Sequence, residues 1–105
     1  MKKWKDKIEF KSAVRLYAQK MNINIKSLYV RPMSRKWASC STDGNLNFSK
    51  DILNIDKKLG EYIIVHELLH FRVPNHGRLW KSLMMAYLGD YQKLESRLKQ
   101  KPRKQ

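Results

Sequence analysis

The sequence predicts a small α+β protein, and three observations indicate this class. Apolar residues recur at helical spacing near both ends of the chain, and short segments rich in β-formers lie between them. The length of 105 residues allows one compact domain with a modest core. We therefore expect residues 1–105 to fold as a single domain, in the order helix, strands, helix, helix, helix, with a small, mostly antiparallel sheet of about three strands.

The first element is an amphipathic helix over residues 6–21. Its apolar residues fall mainly on one helical face, with lysines between them, which is the pattern of a helix that buries one side. These residues are Ile8, Phe10, Ala13, Val14, Tyr17, Ala18 and Met21. We expect this helix to support the sheet from behind.

Three short strands are predicted next. Residues 25–31 are rich in β-formers and are followed by Pro32, which favours a strand that ends there. Residues 36–41 and 45–49 are the second and third candidates, and a Gly44-containing turn lies between them. The last two strands are therefore expected to form a hairpin.

A long helix over residues 56–73 follows the hairpin. Apolar side chains fall on nearly every face of this segment, which predicts a helix buried on both sides that runs through the middle of the protein. Pro74 is expected to end it, because proline cannot continue a helix. Asn75 is then placed to cap a third helix over residues 77–88. The inner stripe of that third helix consists of Leu79, Trp80, Leu83, Met84 and Tyr87.

The C-terminal segment, from about residue 91, is basic and carries a narrow apolar stripe. After a break at Gly89, Tyr91, Leu94 and Leu98 continue at helical spacing. So short a helix is not stable alone in water, and it must therefore dock. Two docking sites stay open: the protein's own core near the third helix, and a cleft beside the functional site, in the same molecule or in a dimer partner.

Composition excludes several classes of protein. The 23 Lys and Arg residues against nine Asp and Glu give a net charge of +14, which attracts polyanions and predicts a weak association with nucleic acid. The single cysteine, Cys40, excludes a disulfide framework within the chain and a cysteine-based zinc finger. No apolar run approaches the ~20 residues of a membrane span, and the N-terminus lacks the apolar region of a secretory signal. We expect a cytoplasmic protein without membrane contact.

The buried helix carries the motif with the most chemical content, H-E-x-x-H, from His66 to His70. Residues i and i+4 share one helix face, so that both imidazoles can bind one metal ion. Zinc lowers the pKa of a bound water toward ~7, and the Glu67 carboxylate beside it can accept the proton. A purely structural role would bury a carboxylate and two imidazoles without evident partners. The motif therefore predicts a hydrolase with His66 and His70 as zinc ligands and Glu67 as general base.

The third zinc ligand is open between three assignments. A catalytic zinc has three protein ligands and one open position. His76 lies ten residues after His66, beyond the predicted helix end, where a reversal of the chain would return it to the same face. Asp90 or Glu95 from the later helices is the carboxylate alternative. In the last assignment, His76 is an exposed turn residue with no ligand role. We expect His76, and one Zn²⁺ per chain.

These residues resemble the pattern of the YgjP-like zinc metallopeptidases, which are related to the SprT-like and WLM domains and to the minimal enzymes called minigluzincins. The resemblance rests on H-E-L-x-H-x5-H-x3-W, from His66 to Trp80, and on R-K-W-A-S-C at residues 35–40. It covers about residues 30–98. Three positions depart from the family pattern: Lys36, Ala38 and Gly89.

The resemblance implies a zincin-like fold, in which the sheet packs on the active-site helix and an edge strand from residues 36–49 forms the rim of a cleft. It implies zinc bound by His66, His70 and His76, catalysis by Glu67, and a peptide or protein substrate that pairs with the rim strand. It also implies that the C-terminal segment can keep the enzyme latent. A zinc metalloendopeptidase is therefore the expected function.

Several side chains near the motif have two interpretations. Trp37 either lines the rim or belongs to the core, and Cys40 is either a thiolate near the zinc or a small buried hydrophobe. Tyr87 or Tyr91 would stabilise an oxyanion, or else both fill the core. A different class of function also stays open: a basic nucleic-acid-binding module with structural metal or none.

Overall fold

Four α-helices and three β-strands lie within residues 1–101, the part of the chain that the computed structural model describes. In chain order they are α1 (Lys7–Lys20), β1 (Ser27–Arg31), β2 (Ala38–Cys40), β3 (Asn45–Ser49), α2 (Lys57–Leu69), α3 (Arg78–Leu88) and α4 (Tyr91–Lys99). A short 3-10 helix, Lys50–Asn54, joins β3 to α2. The predicted α+β class and the order of elements are confirmed. The last part of the predicted basic tail, residues 102–105, lies outside the described residues.

The sheet is mixed, so the prediction of a mostly antiparallel sheet is wrong. β3 lies in the centre, antiparallel to β2 as the predicted hairpin requires, and parallel to β1. The parallel pairing is the longer one and runs from Ser27 opposite Asn45 to Arg31 opposite Ser49. Residues 32–37 carry the chain from β1 to β2, which lies two strand positions away. The chain then returns, and β3 fills the position between the two earlier strands. As a result β2 is an edge strand, with backbone groups that no neighbouring strand covers.

The N-terminal helix supports the sheet from behind, as predicted. It begins at Asp6, whose side chain accepts a hydrogen bond from the backbone N–H of Glu9 at 2.9 Å. Phe10, Val14 and Ala18 recur every four residues and form its buried stripe. The stripe places α1 against the core beneath the sheet, and the ring of Phe10 meets a phenylalanine ring of β3 edge-on, with 5.0 Å between centroids.

The second helix runs through the middle of the protein, as predicted. Every residue from 62 to 69 is buried, and this set includes His66 and Glu67. The N-terminal segment packs on the start of the helix. There the indole of Trp4 covers Gly60 so closely that a Cβ on Gly60 would clash with it. Glycine at this position therefore lets the N-terminal segment lie directly against the helix that carries the motif.

The second helix ends at Leu69, so the prediction that it continues to Val73 is wrong. The N–H groups of His70, Phe71 and Arg72 donate to carbonyls three residues back, which is tighter than the α-helical pattern. Since the residue before a proline avoids helical conformation, the chain leaves the helix before Pro74. The connection to α3 is therefore long enough for the chain to reverse.

The third helix buries a narrower stripe than predicted. Gly77 is its N-cap without any side-chain hydrogen bond, so the assignment of Asn75 as the cap is wrong. Leu79 is 60% exposed because it lies on the side of α3 away from the core. The other predicted stripe residues are buried or partly buried: Trp80, Met84, Leu83 and Tyr87.

The fourth helix docks on the second, which confirms the core alternative for this part of the C-terminal segment. Tyr91 and Leu98 are both buried in the core. The hydroxyl of Tyr62 in α2 donates a hydrogen bond to the Glu95 carboxylate at 3.1 Å.

None of the helices within residues 1–101 has both the length and the apolar character that a membrane-spanning helix requires.

Candidate active site

The three histidines of the chain lie together at the C-terminal end of α2. His66 and His70 are one helical turn apart on α2, and the reversal after the helix brings His76 back beside them. The ring centroids lie 4.8 Å apart for His66 and His70, and each of these rings lies 5.2 Å from that of His76. One nitrogen from each of the three rings falls within 4.8 Å of the others, an arrangement that could hold a metal ion.

The chemistry of this donor set fits a metal such as zinc. Burial, and then the neighbouring rings of His70 and His76, lower the pKa of His66 to about 3. Burial and His76 also lower the pKa of His70. Both imidazoles are therefore neutral, which is the form that binds metal. In addition, Nδ1 of His66 is buried without a hydrogen-bond partner among the described residues, as expected where a further group belongs in the site.

Glu67 faces the same cleft as the histidines. Its side chain is only 6% exposed, and burial raises the pKa of its carboxyl group to about 7, while the ammonium of Lys36 acts in the opposite direction. No hydrogen bond to a protein group occupies its carboxylate among the described residues. The carboxylate is thus held beside the three imidazoles and is free to interact with a molecule in the cleft.

The cleft has a volume of about 320 Å³ and is bounded by α2, the connection to α3, and the edge strand β2. The residues that line it are Lys36, Ala38, Ser39, Cys40, His66, Glu67, His70 and His76. Apart from the candidate ligands and Glu67, the charged group in this lining is the ammonium of Lys36. Lys36, Ala38, Ser39 and Cys40 belong to the segment expected to form the rim.

The edge strand offers free backbone groups to this cleft. The C=O of Trp37 accepts a hydrogen bond from the N–H of Ser49 in β3 at 2.8 Å. Bonding residues alternate along an antiparallel pair, so the next residue of β2 bonded to β3 is Ser39. The N–H and C=O groups of Ala38 and Cys40 therefore point away from β3, on the side of β2 where an extended chain would pair. Ala38 is buried, whereas Cys40 is partly exposed.

The carboxylate alternatives for the third ligand lie elsewhere. Glu95 accepts a hydrogen bond from Tyr62, and Asp90 is exposed at the start of α4. The metal-holding group found within residues 1–101 contains neither of them. The structure therefore brings His76, and not a carboxylate, next to the H-E-x-x-H pair.

The other side chains with two interpretations also have defined places. Cys40 lines the cleft, but burial and then the nearby Glu67 raise the pKa of its thiol to about 11, so that it is a neutral thiol rather than a thiolate. Trp37 is buried in the core, which confirms the core alternative. Tyr87 and Tyr91 pack in or against the core and are absent from the lining of the cleft.

Trp80, predicted as part of the core stripe of α3, has a second role that the sequence did not indicate. It is buried, but its ring also lies against the rings of all three histidines, at centroid distances of 4.2 to 4.9 Å. The spacing of four between His76 and Trp80 is the nearest sequence signal, but His76 precedes α3, so this spacing alone does not bring the two rings together.

Comparison with known proteins identifies the family. The model of the YgjP-like family, described as a YgjP-like metallopeptidase domain, matches residues 1–101. The chain belongs to this family. This YgjP-like metallopeptidase is 34% identical over 92 residues to an uncharacterized protein of Methanocaldococcus jannaschii, an alignment that spans 83% of this chain and 84% of the relative. The predicted family resemblance is confirmed.

Two solved structures of metallopeptidase zymogens are similar to the YgjP-like chain. The zymogen of Methanocaldococcus jannaschii jannalysin superposes with a TM-score of 0.77 and 31% identity, over 87% of this chain and 94% of that one. The zymogen of Pyrococcus abyssi abylysin gives a TM-score of 0.71 at 17% identity, over 85% of this chain and 90% of that one, and supports the fold alone.

Proposed function

We propose that this metallopeptidase is a zinc endopeptidase of the H-E-x-x-H class, with His66, His70 and His76 as the ligands of one Zn²⁺ and Glu67 as general base. The observation that carries the proposal is the convergence of three imidazoles beside a buried carboxylate, in a cleft bounded by an open strand edge. Zinc, when bound, supplies Lewis acidity, which polarises a carbonyl group and acidifies water.

Glu67 would move the proton during peptide hydrolysis. Its carboxylate accepts a proton from the attacking water as the new C–O bond forms at the scissile carbonyl. It then returns that proton to the amide nitrogen as the C–N bond breaks, so that the immediate products are a carboxylic acid and an amine, which ionise in water to a carboxylate and an ammonium group. A single carboxylate serves both steps because it lies in the cleft without competing hydrogen bonds among the described residues.

The substrate would bind as an extended strand. The N–H and C=O groups of Ala38 and Cys40 point away from β3, as an added strand requires, and the same cleft contains Glu67 and the histidines. Main-chain pairing recognises any extended peptide, whereas a folded protein keeps its backbone groups occupied. Unstructured polypeptides are therefore the substrate class that this cleft suits.

The test of the proposed function is cleavage of an unstructured protein by chain loaded with zinc. We expect one zinc per chain by mass spectrometry, internal cleavage products, loss of activity with a chelator, and recovery when zinc is restored. Cleavage that continues after complete removal of metal would contradict the proposal. Salt-sensitive binding of nucleic acid without any cleavage would instead favour the basic binding module.

Latency is part of the proposal because jannalysin, which is 31% identical to this chain, was solved as a zymogen. Within residues 1–101, the lining of the cleft includes no residue of α4. This helix is instead held on α2 by two contacts. One is the hydrogen bond between Tyr62 and Glu95. In the other, the guanidinium of Arg97 donates a hydrogen bond of 2.8 Å to the carboxylate of Asp56, the N-cap of α2. The structural role of α4 and any inhibitory role of the segment must therefore be tested separately.

Two truncations separate these roles. Ending the chain after Asp90 removes the buried side chains of Tyr91 and Leu98, and burying a side chain such as leucine contributes about 1.5–3 kcal/mol. We expect this product to melt at a lower temperature and to lose zinc. Ending the chain after Lys101 keeps α4, and we expect a folded, zinc-loaded product, so that a peptidase activity above that of the full chain would assign latency to residues 102–105. Equal activity of the full chain and this shorter product would exclude residues 102–105 as an inhibitory segment.

A further inference from the structure

The third histidine has the weakest support from the backbone. His66 and His70 are carried by α2, where the helix and its packing fix them. His76 lies in the connection between α2 and α3, is exposed, and has no hydrogen bond to its ring among the described residues. An exposed side chain on a loop loses rotamer freedom when it binds a ligand, and this loss weakens binding.

The indole of Trp80 holds the His76 ring. The two rings are stacked at 4.2 Å between centroids, with only 21° between their planes. Trp80 is itself fixed, because it lies in the first turn of α3 and is 3% exposed within the core. Stacking on an immobile ring restricts an otherwise exposed imidazole to one orientation.

The same indole touches the other two candidate ligands. Its centroid lies 4.9 Å from that of His66 and 4.9 Å from that of His70, at 83° and 36° between planes. Trp80 does not belong to the lining of the cleft, so it contacts the histidines from the protein side. One buried ring therefore forms a common wall behind all three imidazoles, opposite the side open to substrate.

We propose that Trp80 is a positioning residue that stacks His76 into place and so completes the metal site before metal binds. This inference rests on the proposed zinc ligation by the three histidines. Trp80 acts through His76, since an indole has no lone pair to offer a metal ion. Groups that orient a ligand in this way commonly change metal affinity by ~10–100-fold.

The test measures zinc affinity by competition with a chelator in folded variants. We expect Trp80→Leu, which removes the ring, to weaken zinc binding by ~10–100-fold, and Trp80→Phe, which keeps a ring, to lose less. In a His76→Ala background the same Trp80 substitutions should have a much smaller effect, because the stacking on His76 is gone and only the contacts with His66 and His70 remain. Trp4→Phe is the matched control: it changes a buried tryptophan in contact with Gly60, away from the histidines, and should leave zinc affinity unchanged.

A second readout does not need metal. In the apoprotein, the ring current of Trp80 should shift the NMR signals of the His76 ring protons, and this shift should disappear in Trp80→Leu. If Trp80→Leu does not fold, Trp80→Phe and its His76→Ala double variant give the same comparison. Wild-type zinc affinity in folded Trp80→Leu, or an equal loss in the His76→Ala background, would overturn the inference. A wild-type chain that binds no zinc would instead overturn the proposed function.

Discussion

We expect the Glu67→Gln variant to hydrolyse peptides at least ~10²-fold more slowly than the wild-type chain, the usual scale for the loss of a general base. Glutamine matches the shape of glutamate, so it fills the same buried position, and it can still hydrogen-bond a water molecule. It cannot accept a proton from that water. The measurement is kcat/KM on a fluorogenic peptide, together with the zinc content and melting temperature of each protein.

The matched control is Glu61→Gln on the same helix. The Glu61 carboxylate accepts a hydrogen bond from the hydroxyl of Tyr17 at 2.9 Å and does not line the cleft. This variant removes an equal charge from α2, so its activity should stay at the wild-type level. A fully active Glu67→Gln enzyme would exclude Glu67 as the base. A folded but zinc-free Glu67→Gln protein would indicate a structural role for this carboxylate.

Local sequence patterns predict much of the fold correctly. The errors occur where contacts between separate segments decide the structure. The apolar stripe of α1 and the all-round apolar pattern of α2 are properties of single segments, and both predictions are confirmed. Strand order is not such a property. Nothing within residues 25–49 specifies that β3, rather than β2, lies beside β1, because that choice depends on how the connection crosses the sheet.

The end of α2 is a second place where the local sequence pattern did not predict the structure. Pro74 correctly indicated that the helix stops, but the helix unwinds at His70, where the donors begin to bond three residues back. This early end lengthens the connection, and the longer connection lets His76 return to α2. Asn75 was predicted as a cap by residue type alone. The turn geometry placed Gly77 in the cap position instead.

The candidate site was largely readable from the sequence because its residues are rare and regularly spaced. A chain with three histidines, two of them at i and i+4, leaves few ways to build a metal site, and the structure brings all three together. The place of Trp80 could not be read in the same way. A tryptophan in an apolar stripe is ordinarily core, and only the three-dimensional reversal before α3 shows that its ring also faces the histidines.

We expect the second large effect from His76→Ala, which should weaken zinc binding by more than ~100-fold, the upper end of the loss caused by outer-sphere substitutions. A site with two remaining imidazoles lacks the third ligand that a catalytic zinc requires. His76 is exposed on a connection, so the substitution removes the ring without opening a cavity in the core. Zinc affinity, measured by chelator competition, tests the loss of the ligand. The melting temperature of the apoprotein tests that the core is unchanged.

Two controls separate ligation from damage to the loop or to α4. Asn75→Ala changes the exposed neighbour of His76 and should keep zinc affinity at the wild-type level. Glu95→Gln weakens the contact with Tyr62 and tests the carboxylate alternative directly. It should lower the melting temperature slightly, because one hydrogen bond to a charged acceptor is weakened, while zinc affinity stays unchanged. If Glu95→Gln loses zinc and His76→Ala retains it, the third ligand is the carboxylate, and α4 must then move from its place on α2 to reach the other two histidines.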